Sequence, residues 1–206
     1  MKNLTVTVVG NPNCSKTTLF SALIGTRQRV GNRPGVTVER KTGTFQLSDA
    51  AVTLVDLPGT YSLGPSETSM DERIALEYAI SGEADILVNI VDASNLERHL
   101  YLTAQLLEMR VPMIVVLNMM DTAHQNDVEI NLAELKKRIG CPVLPIVASS
   151  GQGVEELKRA MVTMAEAGAL PKVTPRYDAK VEAAIEGICP TARIEVRWTL
   201  AGAADV

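Results

Sequence analysis

Gly10-Asn11-Pro12-Asn13-Cys14-Ser15-Lys16-Thr17 lies between an apolar, strand-like run (Leu4, Val6, Val8, Val9) and a helix-like run over residues 18–24. Strand, glycine-containing loop, Lys-Thr and helix, in that order, make the context of a phosphate-binding P-loop. A tight loop aims successive backbone N–H groups at a phosphate, and the helix that follows adds its positive N-terminal end. Lys16 then supplies an ammonium for β- and γ-phosphates, Thr17 a hydroxyl for Mg2+, and Thr18 a further polar group at the helix start. The usual G-x-x-x-x-G-K-[ST] pattern is broken at one place, where Ser15 replaces the second glycine. If that position has positive φ, its side chain costs about 1–2 kcal/mol, so the loop is read as a weakened nucleotide site.

Away from the loop, apolar runs and breakers alternate. Residues 3–9 read as a buried strand, and the helix after the loop stops at Gly25. Residues 26–39 are polar, contain Gly31, Pro34 and Gly35, and read as a mobile loop. Residues 41–47 and 52–55 read as adjacent strands joined through Ser48-Asp49-Ala50. A second loop covers 57–68, and a helix over 70–80 ends at Gly82. Residues 86–91 form a buried strand. Asn95 is placed to cap a helix running to about 109, with Leu100, Ala104 and Leu107 on one face. Residues 113–117 form a strand, 131–139 a helix stopped by Gly140, 142–147 a strand and 154–167 a helix. This alternation predicts a three-layer α/β fold around a mostly parallel sheet.

In such folds ligands bind beyond the carboxyl ends of the strands, and the chemistry-bearing residues fall there. Asp56-Leu57-Pro58-Gly59 has the form D-x-x-G. Asp56 is expected to hold Mg2+ through a water, and the Gly59 amide to approach a γ-phosphate. Gly35-Val36-Thr37 is expected to bring the Thr37 hydroxyl to Mg2+. Contacts that need the γ-phosphate order two loops with a triphosphate and release them on hydrolysis. Asn118-Met119-Met120-Asp121 is N-x-x-D at a strand end. A carboxylate at Asp121 accepts hydrogen bonds from the N1–H and exocyclic amine of guanine; adenine offers neither, and the unmet charge costs about 1–3 kcal/mol. Asn118 ties this loop to the P-loop, and Ala148-Ser149-Ser150 supplies a backbone N–H for the guanine O6. Each piece alone is a common strand end. Their order and spacing together indicate a GTP/GDP site.

The composition narrows the class. With 206 residues, 46% of them hydrophobic, the chain can build one good core and a small appendage. A net charge of -4 and a pI near 5.3 argue against nucleic acid as a partner. Cys14, Cys141 and Cys189 are odd in number and widely spaced, as in a reducing compartment, and lack the spacing of a metal site. His99 and His124 stand alone in the sequence. No apolar run is long enough to span a bilayer, so the chain is expected to be soluble.

Several long stretches go beyond what any GTP site requires: Gly31-Asn32-Arg33-Pro34-Gly35-Val36-Thr37-Val38-Glu39, Val55-Asp56-Leu57-Pro58-Gly59-Thr60-Tyr61-Ser62-Leu63, and Val91-Asp92-Ala93-Ser94-Asn95-Leu96-Glu97-Arg98-His99-Leu100-Tyr101-Leu102-Thr103. With the P-loop they resemble the cytosolic GTPase domain of the FeoB ferrous-iron transporter family, over roughly residues 3–168. The resemblance implies a Ras/Era-like P-loop GTPase domain, with a six- or seven-stranded sheet, over residues 1–170. It also implies GTP hydrolysis coupled to Fe2+ uptake at the cytoplasmic face of a bacterial inner membrane, and a transmembrane iron-transport domain as partner. Asn11 matches an asparagine that helps hold K+ beside the β- and γ-phosphates in this family, where the cation does the work of an arginine finger. Thr60 stands where Ras-type enzymes carry the water-orienting glutamine, so slow hydrolysis is expected, with Asn11, Lys16, Thr37 and Gly59 as its catalytic set. Two rival readings are a soluble Era-like GTPase acting on RNA, for which no basic module is visible, and a nucleotide-binding regulatory module with little turnover.

Beyond residue 170 the resemblance stops. Residues 171–177 read as a linker, 178–188 have helical spacing, and 193–200 alternate Ile194, Val196, Trp198 and Leu200 with polar residues. The family's helical domain is expected to be absent or truncated. An alternating strand cannot stand alone, so it packs on its own domain or pairs with a second copy of the chain; the expectation is a contact between chains, as a homodimer or another oligomer, against the alternative of a disordered tail.

Overall fold

A computed structural model of the chain describes residues 2–25, 30–32, 41–47, 50–61, 78 and 81–173. Gly35, Thr37, the helix expected over 70–80 (apart from Tyr78) and the tail from 174 onward lie outside the described residues.

The strands are β1 (Lys2–Gly10), β2 (Val30–Asn32), β3 (Lys41–Leu47), β4 (Ala50–Asp56), β5 (Ile86–Asp92), β6 (Met113–Asn118) and β7 (Val143–Pro145). They form one seven-stranded sheet in the order β2-β3-β4-β1-β5-β6-β7. Pairing is parallel from β4 through β7 and antiparallel only at β2-β3 and β3-β4. The helices are α1 (Lys16–Ile24), α2 (Leu96–Glu108), α3 (Met120–Gln125), α4 (Leu132–Ile139) and α5 (Val154–Ala167).

Two apolar clusters flank the sheet. Leu19 and Leu23 of α1 and Leu157 and Met161 of α5 pack with Val6, Val8, Val88 and Val116 on one side. Leu102 and Leu106 of α2 and Ile139 of α4 pack with Val9, Leu87, Val91 and Val115 on the other. This is the three-layer α/β arrangement expected from the alternating pattern. β6 is buried at every position, which is why it reads as a continuous apolar run, as strands covered on both faces do. β3 alternates, because it lies toward the sheet edge and turns only one face inward.

The structure differs from the sequence expectations in five places. β2 lies inside the expected loop 26–39; its Val-Gly-Asn is too short to give a period. The strands ending in Asp56, Asn118 and before Ser149 are therefore the fourth, sixth and seventh. β7 ends at Pro145, because Ile146 N–H donates to Leu117 O at 2.7 Å and Val147 then bridges to Gln152 in a turn of its own. Asn95 occupies the α2 cap position with no side-chain cap bond; instead Asp92 Oδ1 accepts from Ser94 N–H at 2.8 Å and opens a 3-10 turn over Ala93–Asn95. α3 was not expected, being too short to show a period. Finally, the segment expected to be a linker begins packed: Pro171 is buried, Lys172 N–H donates to Gly140 O at 3.0 Å, and a Cβ on Gly140 would lie 2.8 Å from Val173 N.

Candidate functional site

The site is assembled at the carboxyl ends of β1, β4, β6 and β7. Beyond β1 the chain turns through Asn13 (φ 66°) and Ser15 (φ 65°), both left-handed. Ser15 is the N-cap residue of α1 and makes no side-chain cap bond, so its side chain gives nothing back for the strained backbone. Lys16 Nζ donates to Gly10 O at 3.1 Å and Asn11 O at 3.0 Å, folding the ammonium back over its own loop. Asn13, Ser15, Lys16 and Thr17 line an open cavity of about 380 Å3. Cys14 points the other way, into the core, and burial pushes its thiol up to about 11 against the opposing pull of Lys16. It is a protonated packing residue. Cys141 is likewise buried, its thiol pushed up to about 12.

The D-x-x-G segment is pinned across the P-loop by its own backbone. Leu57 N–H donates to Val8 O and Thr60 N–H to Gly10 O, both at 3.2 Å. Gly59 comes so close that an added Cβ would sit 2.7 Å from Lys16 Nζ and 3.0 Å from Pro12 Cα. A side chain there would press on the Pro12 backbone and displace the Lys16 ammonium. Asp56, at the end of β4, is half-buried, and its Oδ1 is buried with no hydrogen-bond partner among the described residues. Burial raises its carboxyl above the ordinary value, outweighing Lys16 and Lys41. Asn11 is more anomalous still. It is 1% exposed, and neither its Oδ1 nor its Nδ2 has a described partner. Buried polar groups are rarely left so.

At the other end of the site, buried Asn118 joins three loops. Its Nδ2 donates to Cys14 O at 3.2 Å and its Oδ1 accepts from Ala148 N–H at 2.9 Å. The tie from Asn118 to the P-loop is thus made as the sequence suggested. Met119 follows in the left-handed region (φ 59°) and delivers Asp121, exposed, into the first turn of α3. The third loop is refined by the geometry. Ala148 N–H is taken by Asn118, and Ser150 N–H donates to Val147 O at 3.2 Å. Ser149 N–H is the amide of the three that remains for a ligand.

Sequence reasoning read His99 only as a histidine standing alone. It is buried, and its Nδ1 accepts from Asp92 N–H at 3.2 Å. The same wall holds Asn89 Nδ2 donating to Thr103 Oγ1 at 2.7 Å. This polar seam locks α2 to the end of β5, and a lone histidine in a helical run carries no signal of it.

Known proteins share this arrangement. A family model described as ferrous iron transport protein B matches residues 4–161. The Fe(2+) transporter FeoB of Escherichia coli (strain K12) is 59% identical over 163 residues, which are 78% of this chain and 21% of that protein. The chain thus spans about a fifth of the length of the curated relatives it matches. The cytosolic domain of the T. maritima FeoB iron transporter in a GDP form superposes with TM-score 0.83 and 40% identity, covering 94% of this chain and 76% of that one. The same domain in a GMPPNP form gives TM-score 0.81 and 40% identity over 93% and 75%. With most of its length inside the family model and its sheet shared with these G domains, the chain belongs to the ferrous iron transport protein B family.

Proposed function

We infer that the chain binds GTP and GDP and hydrolyses GTP slowly, acting as the cytosolic switch of a ferrous iron transporter. The observation that carries this reading is Asn118, whose one side chain ties the P-loop to the Ala148 loop while its strand end presents Asp121. Phosphate and base sites are thereby held at a fixed distance. Asp121 selects guanine through its N1–H and exocyclic amine, and Ser149 N–H meets the O6. Lys16 leaves its two loop carbonyls for the β- and γ-phosphates, a charge-assisted exchange. The Gly59 amide, close beside Lys16 and Pro12, meets the γ-phosphate.

Two orphaned groups fit cations. Asp56 Oδ1, with Thr17 and Thr37, suits Mg2+, which when bound neutralises charge developing between the β- and γ-phosphates. Asn11 Oδ1, buried beside the loop without a partner, suits K+. Thr60 cannot orient an attacking water as a glutamine does, so turnover is slow and K+-dependent. Residues 1–170 form the G domain. The remainder of the whole protein supplies a membrane-embedded Fe2+ pathway, placing this domain at the cytoplasmic face of the inner membrane, and the tail beyond 173 contacts a second copy. A reading as a regulatory module with little turnover draws on the same Thr60.

Titration of the chain with labelled GTP, GDP and ATP in Mg2+, in KCl and then NaCl, tests the proposal. Guanine-selective binding lost by more than tenfold in Asp121→Ala, with turnover higher in KCl, is the expected result. Equal affinity for ATP sinks the base assignment. Tight GTP binding with no turnover in either salt selects the regulatory reading.

A further inference from the structure

Arg98 stands in the first turn of α2, where the helix dipole opposes a cation. Its guanidinium carbon lies 4.5 Å from the centroid of the Tyr61 ring, within cation–π range. Tyr61 directly follows Thr60, which is fully buried and donates its N–H to Gly10 O, and it stands two residues after Gly59, which abuts Lys16 and Pro12. At the other end of the stack, Arg98 precedes His99, whose ring holds α2 to Asp92 N–H, and the Asn89–Thr103 bond fixes the next turn. One partner of the stack is therefore anchored on a rigid helix. The other is attached to the Gly59 segment, whose amide the proposed site sets against a γ-phosphate.

We propose that Arg98, through its stack on Tyr61, is a positioning residue that holds the Gly59 amide for the γ-phosphate and so discriminates triphosphate from diphosphate. The proposal rests on the reading of the site as a guanine-nucleotide site. Arg98 acts through Tyr61 and not by contact with the phosphates. It opposes the swing of the Gly59–Tyr61 segment away from Pro12. A diphosphate has nothing at that position, so the stack leaves GDP affinity alone.

The test compares affinities for GDP and for a non-hydrolysable GTP analogue in the full chain, with Arg98→Ala, Arg98→Lys, Tyr61→Phe, Tyr61→Ala and the double alanine variant. Arg98→Ala is expected to weaken the GTP analogue about twofold to fivefold, the range of an exposed cation–π pair, with GDP affinity within error of the parent. Arg98→Lys and Tyr61→Phe, which keep a cation and a ring, retain most of the effect. The double variant is no worse than either single one, as two halves of one contact require. Equal losses for GDP and the analogue, unchanged analogue affinity, or additive single effects would each overturn the proposal. A parent chain that binds neither nucleotide refutes the underlying site assignment instead.

Discussion

Ser15 stands in the left-handed region, where a side chain costs about 1–2 kcal/mol. Its φ of 65° confirms the strained conformation that the missing glycine implied. The cost falls on the folded chain, so stability reads it directly. Ser15→Gly relieves about 1–2 kcal/mol of left-handed strain, while the freer unfolded chain takes back about 0.4–1 kcal/mol. The expected result is a chain up to about 1.5 kcal/mol more stable in urea denaturation. Asp56 is strained electrostatically. A carboxyl raised by burial above its ordinary 3.8 favours folding while protonated, and that benefit is lost as pH rises through the shifted value. At neutral pH Asp56 is thus a net cost to the nucleotide-free fold. Asp56→Asn is expected to raise the thermal midpoint of the nucleotide-free chain by a few degrees, roughly 1 kcal/mol, while abolishing the tightening of GTP by Mg2+. An unchanged or lower midpoint would contradict this account.

Among the elements, the loop after β6 matters most. Asn118 makes two buried bonds to partners that no other described side chain serves. Asn118→Ala is expected to remove about 2 kcal/mol of stability, from two lost bonds and a stranded Cys14 carbonyl. It should also lower guanine-nucleotide affinity by at least about tenfold, since the P-loop and base loops lose their common tie. Denaturation and titration of one preparation separate the two effects. Much of this was legible beforehand, because N-x-x-D at a strand end names its own roles. β2 and α3 were not legible, since three and six residues are too few to show a period. The failed cap at Asn95 has a different cause. Asp92, three residues earlier, accepts from Ser94 N–H and Ser94 Oγ–H, so the chain enters α2 through a 3-10 turn rather than a side-chain cap.

At the scale of the whole molecule, buried polar groups join α2 to the sheet, and His99 makes that joint sensitive to pH. Burial lowers its basicity from the ordinary 6.5, with Arg98 and Lys16 in the same direction and Asp92 opposing. The unfolded chain takes up a proton below about 6.5 while the folded chain resists it, so stability is full above that pH and falls below it. Denaturation at pH 7.5 and 5.5 should show this loss in the parent and a smaller one in His99→Asn, which keeps an acceptor for Asp92 N–H; equal losses would place the effect elsewhere. The sequence alone determined the layer order, the glycine-bounded helices and the tie from Asn118 to the P-loop, and it singled out Lys16, Asp56 and Asp121 as candidates, because periodicity and loop chemistry are local properties of the chain. Tertiary structure decided the rest: that Ser149 offers the free amide, that Asn11 is buried with no described partner, that His99 is a lock on α2, and that Arg98 stacks on Tyr61. Each depends on which groups meet across strands distant in sequence, and burial and partnership belong to that meeting rather than to any residue alone.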